Sequence, residues 1–164
     1  MVNEMKRNYK RNLWRVLIAL MLTVSSLNFN TFFVQAEEIV ESDNEDFTIS
    51  NGVLTAYSGS DSVVTIPDGV TEIKNSVFER NSTITKVILP EGLMGIGNCA
   101  FADCTSLAEV VIPETVTSIG VYAFGNTALK EVVLPSNLAA LKNNAFENSS
   151  VLENVFIPAS LTDV

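Results

Sequence analysis

The chain's five prolines stand at positions 67, 90, 113, 135 and 158, spaced 23, 23, 22 and 23 residues apart. A fixed period of that length outranks any local propensity, because it means that one supersecondary unit is built repeatedly and stacked on itself. Other columns keep the same phase. Phe78, Phe101, Phe124 and Phe146 each lie eleven residues after a proline, and Ile73, Ile96, Ile119, Leu141 and Val164 lie six after one. Val70, Leu93, Val116, Leu138 and Leu161 lie three after, while Ile84, Leu107, Leu129 and Leu152 precede the next strand. A single unit cannot bury its own apolar side chains. Stacked units close a continuous core of aliphatic columns with a phenylalanine spine.

Before each proline the pattern has period two. Val64, Val87, Val110, Val132 and Val155 share one face with Ile66, Leu89, Ile112, Leu134 and Ile157, which predicts a short strand that the proline ends. The expected fold is a mainly β repeat solenoid of about 23 residues per repeat, with short turns or 3-10 segments on its outer side. Residues 64–164 supply about four full repeats and a partial one. The one missing residue falls between Phe124 and Leu129, so Gly125 to Ala128 is expected to be a turn on the outside of the coil, where loops tolerate deletion. Upstream, residues 47–63 hold two β-prone runs around Asn51-Gly52, the signature of a two-residue hairpin, and are expected to cap the solenoid.

The start of the chain reads as an export signal. Lys6, Arg7, Lys10, Arg11 and Arg15 precede the apolar run Val16 to Val24, and Val34-Gln35-Ala36 offers a cleavage site, so residues 1–36 are assigned as a secretory signal peptide. Nine apolar residues are about half of the roughly 20 that span a bilayer, so no membrane insertion is expected after cleavage. Residues 37–46, rich in acids, read as a solvated linker and lack the glycine and distal glutamate of a calcium loop. Cleavage removes five of the ten basic residues and one of the nineteen acids, which leaves 5 minus 18, or -13. That charge opposes nucleic acid and anionic membranes as partners. The chain has no histidine, which excludes Ser-His-Asp and Cys-His nucleophile pairs, histidine zinc sites and imidazole switches. No cofactor, metal or catalytic residue is assigned.

The columns resemble the BspA-like leucine-rich repeats. The pattern is most complete in Ile112-Pro113, Val116-Thr117-Ser118-Ile119-Gly120 and Ala123-Phe124. The resemblance covers about residues 47 to 164 and implies a secreted or surface protein. Several members of that family are adhesins that bind host matrix proteins or other cells, and the family has no shared catalytic residues. The implied function is non-enzymatic protein binding. Two alternatives remain: a self-assembling surface protein that associates end to end, or the N-terminal part of a larger surface enzyme. The chain stops at Val164, on a core position and before that unit's phenylalanine, which reads as a fragment of something longer.

In leucine-rich repeats the strand face is the usual ligand surface, which singles out its outward column. Thr65, Ile88, Val111, Val133 and Phe156 form that column, and four of these five are apolar. They are the candidate ligand-binding face; the bland alternative is that β-branched residues simply suit strands. Cys99 and Cys104 flank Phe101, and free buried thiols are preferred to a bridge or to metal and redox chemistry. The resemblance supports this for Cys104, whose column the family often fills with cysteine. Asn81-Ser82-Thr83 and Asn148-Ser149-Ser150 match glycosylation sequons, although turn formation explains them equally. Lys86 and Glu109 are expected to pair across adjacent strands, and Gly95, Gly97 and Gly120 belong to the repeat and do not form a phosphate loop.

Overall fold

The computed structural model describes residues 45–161, so the proposed signal peptide, most of the acidic linker and Val164 lie outside the described residues. The repeat coils around three faces. Five three-residue strands, one before each proline, line the first: β3 (Val63–Thr65), β5 (Lys86–Ile88), β7 (Glu109–Val111), β9 (Glu131–Val133) and β11 (Asn154–Phe156). A second face carries two-residue strands that periodicity did not reveal: β4 (Glu72–Ile73), β6 (Gly95–Ile96), β8 (Ser118–Ile119) and β10 (Ala140–Leu141). Each of these strands pairs in parallel with its equivalent in an adjacent coil, as a solenoid requires.

The hairpin forms as expected from β1 (Phe47–Ser50) and β2 (Val53–Tyr57), antiparallel, with positive φ at both Asn51 and Gly52. Two successive positive φ values make a type I′ turn, whose twist matches that of the strands. A bulge at Thr55 shifts the register between Thr48 and Ile49. The hairpin is built into the coil: β2 pairs in parallel with β4, with Leu54 opposite Ile73, giving a six-stranded sheet in the order β1-β2-β4-β6-β8-β10. Leu54 is fully buried, at the head of the isoleucine column.

The third face consists of turns, with no helix or 3-10 segment among the described residues. Alternate amides donate to carbonyls of the next coil: Ser76 to Asn98, Phe78 to Ala100 and Arg80 to Ala102, all between 2.8 and 3.0 Å. The pattern recurs from Phe101 to Ala123 and from Phe124 to Ala145. To aim these groups along the stack, the ninth and thirteenth residues after each proline take left-handed backbone, at Ser76 and Arg80, Cys99 and Asp103, Tyr122 and Asn126, Asn144 and Asn148. None of these is glycine, so each costs of the order of 1 kcal/mol that the cross-coil bonds offset.

The spine is as the spacing predicts. Phe78, Phe101, Phe124 and Phe146 stack with centroids 4.9, 5.2 and 5.6 Å apart and rings within 6° of parallel. Tyr57 and Phe47 of the hairpin extend it, tilted, at 5.1 and 5.0 Å. Ile73, Ile96 and Ile119 are buried with the first three phenylalanines. Leu141 and Phe146 depart from the expectation: they pack against the core but are only partly buried. Ile157, expected to point inward with Val155, is 55% exposed.

The short unit behaves differently from the expectation. Gly125 to Ala128 does form a turn and corner, but Gly125 and Thr127 are buried, so it is a tight corner against the core and not a solvent loop. Between the hydroxyl or thiol column and the next aliphatic, other units place two residues, such as Thr105 and Ser106; here Ala128 stands alone. The strand after the shortened corner loses its partner. β9 pairs with β11 but not with β7, and the strand face divides into β3-β5-β7 and β9-β11.

Candidate functional site

Each strand of the first face has its middle residue turned inward and its first and third turned out, the alternation of any pleated strand. The third residues form the candidate column. Thr65, Ile88 and Val111 are directly opposite one another in register, as are Val133 and Phe156. All five are exposed, Val111 at 76% and Phe156 at 53%. The sequence therefore located both the strands and their outward faces, and the structure brings the five residues into one stripe with a step between Val111 and Val133. With strands about 4.8 Å apart, five of them make a stripe about 20 Å long.

Two further columns border the stripe. On one side the first residues of the strands run Val63, Lys86, Glu109, Glu131 and Asn154. Lys86 Nζ lies 2.7 Å from the Glu109 carboxylate, the cross-strand pair expected from register. On the other side, the residues after the prolines place Asp68, Glu91 and Glu114 on the turns that end the first three strands, all exposed. Glu114 accepts hydrogen bonds from the Ser136 amide at 2.8 Å and hydroxyl at 2.6 Å, which hold its carboxyl below the usual carboxylate range. This acidic border was not singled out in the sequence, because it becomes a border only once the coils are stacked. The resulting surface is an apolar stripe with carboxylates on both sides. It has no nucleophile and base in contact, and among the described residues no group of three or more acids or cysteines is placed to hold a metal.

A second feature lies on the other sheet. Where Gly95 supplies no side chain, Thr71, Glu72, Met94, Thr117 and Ser118 enclose an open groove of about 370 Å³. The Thr71 and Thr117 hydroxyls donate across coils, to the Gly52 and Met94 carbonyls.

The cysteines are free thiols. Cys104 is buried and its Sγ donates to the carbonyl of Phe78 at 3.0 Å; burial pushes its pKa up to about 12. Ser149 makes the equivalent bond two coils later, donating to the carbonyl of Phe124. Cys99 is half-buried and sits on a left-handed turn. At the sequons, the Asn81 side-chain oxygen accepts the amides of Thr83 and Ile84, so this asparagine closes its own turn. Asn148 is exposed with φ of 59°.

Comparison with known proteins agrees with this geometry. The model of the BspA type leucine rich repeat region matches residues 48–164 in six copies. A leucine-rich repeat protein from Bacteroides ovatus has a similar structure, with 28% identity and a TM-score of 0.62, over 66% of this chain and 30% of that one. The pneumococcal vaccine antigen PcpA aligns with 28% identity and a TM-score of 0.58, over 74% of this chain and 36% of its own. A leucine-rich repeat protein from Bacteroides capillosus aligns with 26% identity and a TM-score of 0.56, over 68% of this chain and 97% of its own. The chain thus spans about a third of the first two structures. No curated protein sequence matches it.

Proposed function

Because the chain belongs to the BspA-type leucine-rich repeat family, we propose that it is a secreted or surface-displayed, non-enzymatic module that binds another protein, in the manner of an adhesin. The observation that carries this reading is the exposed apolar stripe of Ile88, Val111, Val133 and Phe156 on a rigid strand face. Large side chains held out into water by a stacked scaffold gain free energy when a partner covers them. Residues 1–36 serve export, which places the module outside the cytoplasm. The description of the pneumococcal relative as a vaccine antigen supports an exposed location.

The stripe is small. Its length of about 20 Å gives far less than the roughly 800 Å² per partner of a stable interface, so one module binds weakly and gains avidity by multivalency. Replacing Val111 and Val133 by lysine tests the reading. Both side chains are exposed, so the coil stays folded and adhesion to host matrix or cells is lost. Unchanged adhesion with native thermal unfolding would reject this face as the binding surface.

A further inference from the structure

We infer that the partner presents a basic amphipathic helix to the strand face, an inference that rests on that face being the binding surface. Two observations carry it. The first is the state of the backbone. Unpaired strand edges lie at the ladder ends and at the β7–β9 break; within β3-β5-β7 and within β9-β11, main-chain donors and acceptors pair between neighbouring coils, so there the face presents outward-pointing side chains. A segment that binds there must satisfy its own backbone, which a helix does and an extended peptide does not.

The second observation is charge. Glu109 and Glu131 stand on one side of the apolar stripe, and Asp68, Glu91 and Glu114 on the other; Lys86 is the one basic side chain in these columns and already faces Glu109 at 2.7 Å. The columns stand five positions apart along the chain, as Glu109 and Glu114 show, with Val111 between them. A helix with an apolar stripe flanked by lysine or arginine on both sides is the complementary object. Its spacing suits the ladder. A helix returns a stripe residue about every 5.4 Å, close to the roughly 4.8 Å between coils, and a stripe of about 20 Å matches about 13 helical residues. Acidic helices are repelled by the same columns, which gives the face selectivity.

The test titrates the full chain with two synthetic helical peptides of equal length. Both carry a leucine stripe, bordered by lysine in one and by glutamate in the other. The expected result is that the lysine peptide binds at least about tenfold more tightly at low salt, and that this advantage shrinks as ionic strength rises. Glu91→Lys with Glu131→Lys, both exposed positions, is expected to remove or reverse the preference. Equal binding of the two peptides, or binding of neither, overturns the inference. The failure of the underlying reading looks different. If Val111→Lys with Val133→Lys abolishes adhesion while the peptides bind alike, the face stands and the basic helix falls; if adhesion survives those substitutions, the face falls and the inference with it.

Discussion

The side-chain oxygen of Asn98 accepts the Val121 amide at 2.8 Å, and a Cβ added to Gly120 would lie 2.6 Å from that same oxygen and from the Asn98 backbone nitrogen. The relationship repeats one coil earlier. The Asn75 oxygen accepts the Asn98 amide at 2.9 Å, and a Cβ at Gly97 would lie 2.7 Å from it. One coil later the asparagine is absent, Val121 holds its place, and the glycine column continues as Lys142. Glycine therefore occurs where an asparagine of the preceding coil folds over the backbone. Gly120→Ala is expected to lower stability by about 1 to 3 kcal/mol, because main-chain atoms must shift and the cross-coil bond from Val121 to Asn98 is disturbed. Lys142→Ala, in the same column, is expected to change it by less than about 0.5 kcal/mol. Urea unfolding of the two variants checks the contrast.

The spine has a gradient that mutation should reveal. Phe101 is fully buried between Phe78 and Phe124, whereas Phe146 is only partly buried. Phe101→Ala is expected to cost about 3 to 5 kcal/mol, a large share of a small domain's stability. Phe146→Ala should cost clearly less, since the side chain loses fewer contacts. Equal losses in denaturant unfolding would mean that burial does not set the energetics of the stack.

Cys104 gives a prediction in pH. Its folded pKa is raised to about 12 by burial, above the ordinary value of 9.0, so the folded state keeps the proton that the unfolded state releases. The unfolded state then binds fewer protons, and stability falls as pH rises from about 9 toward 12, with a slope of at most about 1.4 kcal/mol per pH unit. Below pH 9 this group contributes no slope. Cys104→Ser removes the thiol titration while a hydroxyl can still donate to the Phe78 carbonyl, as Ser149 does to that of Phe124. Chemical unfolding of both proteins between pH 8 and about 11 checks it, and the thiol should also resist alkylation at neutral pH until the chain is unfolded.

Periodicity made much of this legible. Phe78, Phe101 and Phe124 and the isoleucine column were placed correctly because a repeat converts sequence phase into spatial register. The outward residues of the first strands followed from period two alone. Strands β4, β6, β8 and β10 were hidden, because two residues are too few to alternate and their pairing comes from stacking. The left-handed turns were hidden for a related reason. Ser76, Arg80 and Tyr122 carry no local preference for positive φ, and the cross-coil bonds impose it. The acidic border escaped notice because Glu109 and Glu131 are distant in sequence and become one column only in the fold.

The interrupted ladder between β7 and β9 yields the last prediction. The amide of Ile66 donates to the Ile88 carbonyl and that of Leu134 to the Phe156 carbonyl, each at 3.0 Å, but among the described residues no such bond joins β7 to β9. The shortened corner is the local cause: with Ala128 alone between Thr127 and Leu129, the chain enters β9 without the spacing that sets the other strands in register. The second face is spared, since β8 still pairs with β10, and the turns of Phe124 and Ala145 stay bonded. The break is thus confined to the strand face, at the step in the apolar stripe. Amides facing it, such as that of Ile112, are expected to exchange hydrogen faster than those of Ile66 and Leu134. Inserting one serine after Thr127 restores the period of 23 and is expected to slow that exchange by joining the two ladders. It should also bring Val111 and Val133 into direct register and straighten the stripe. Exchange that remains fast after the insertion would show that the corner length is not what divides the face.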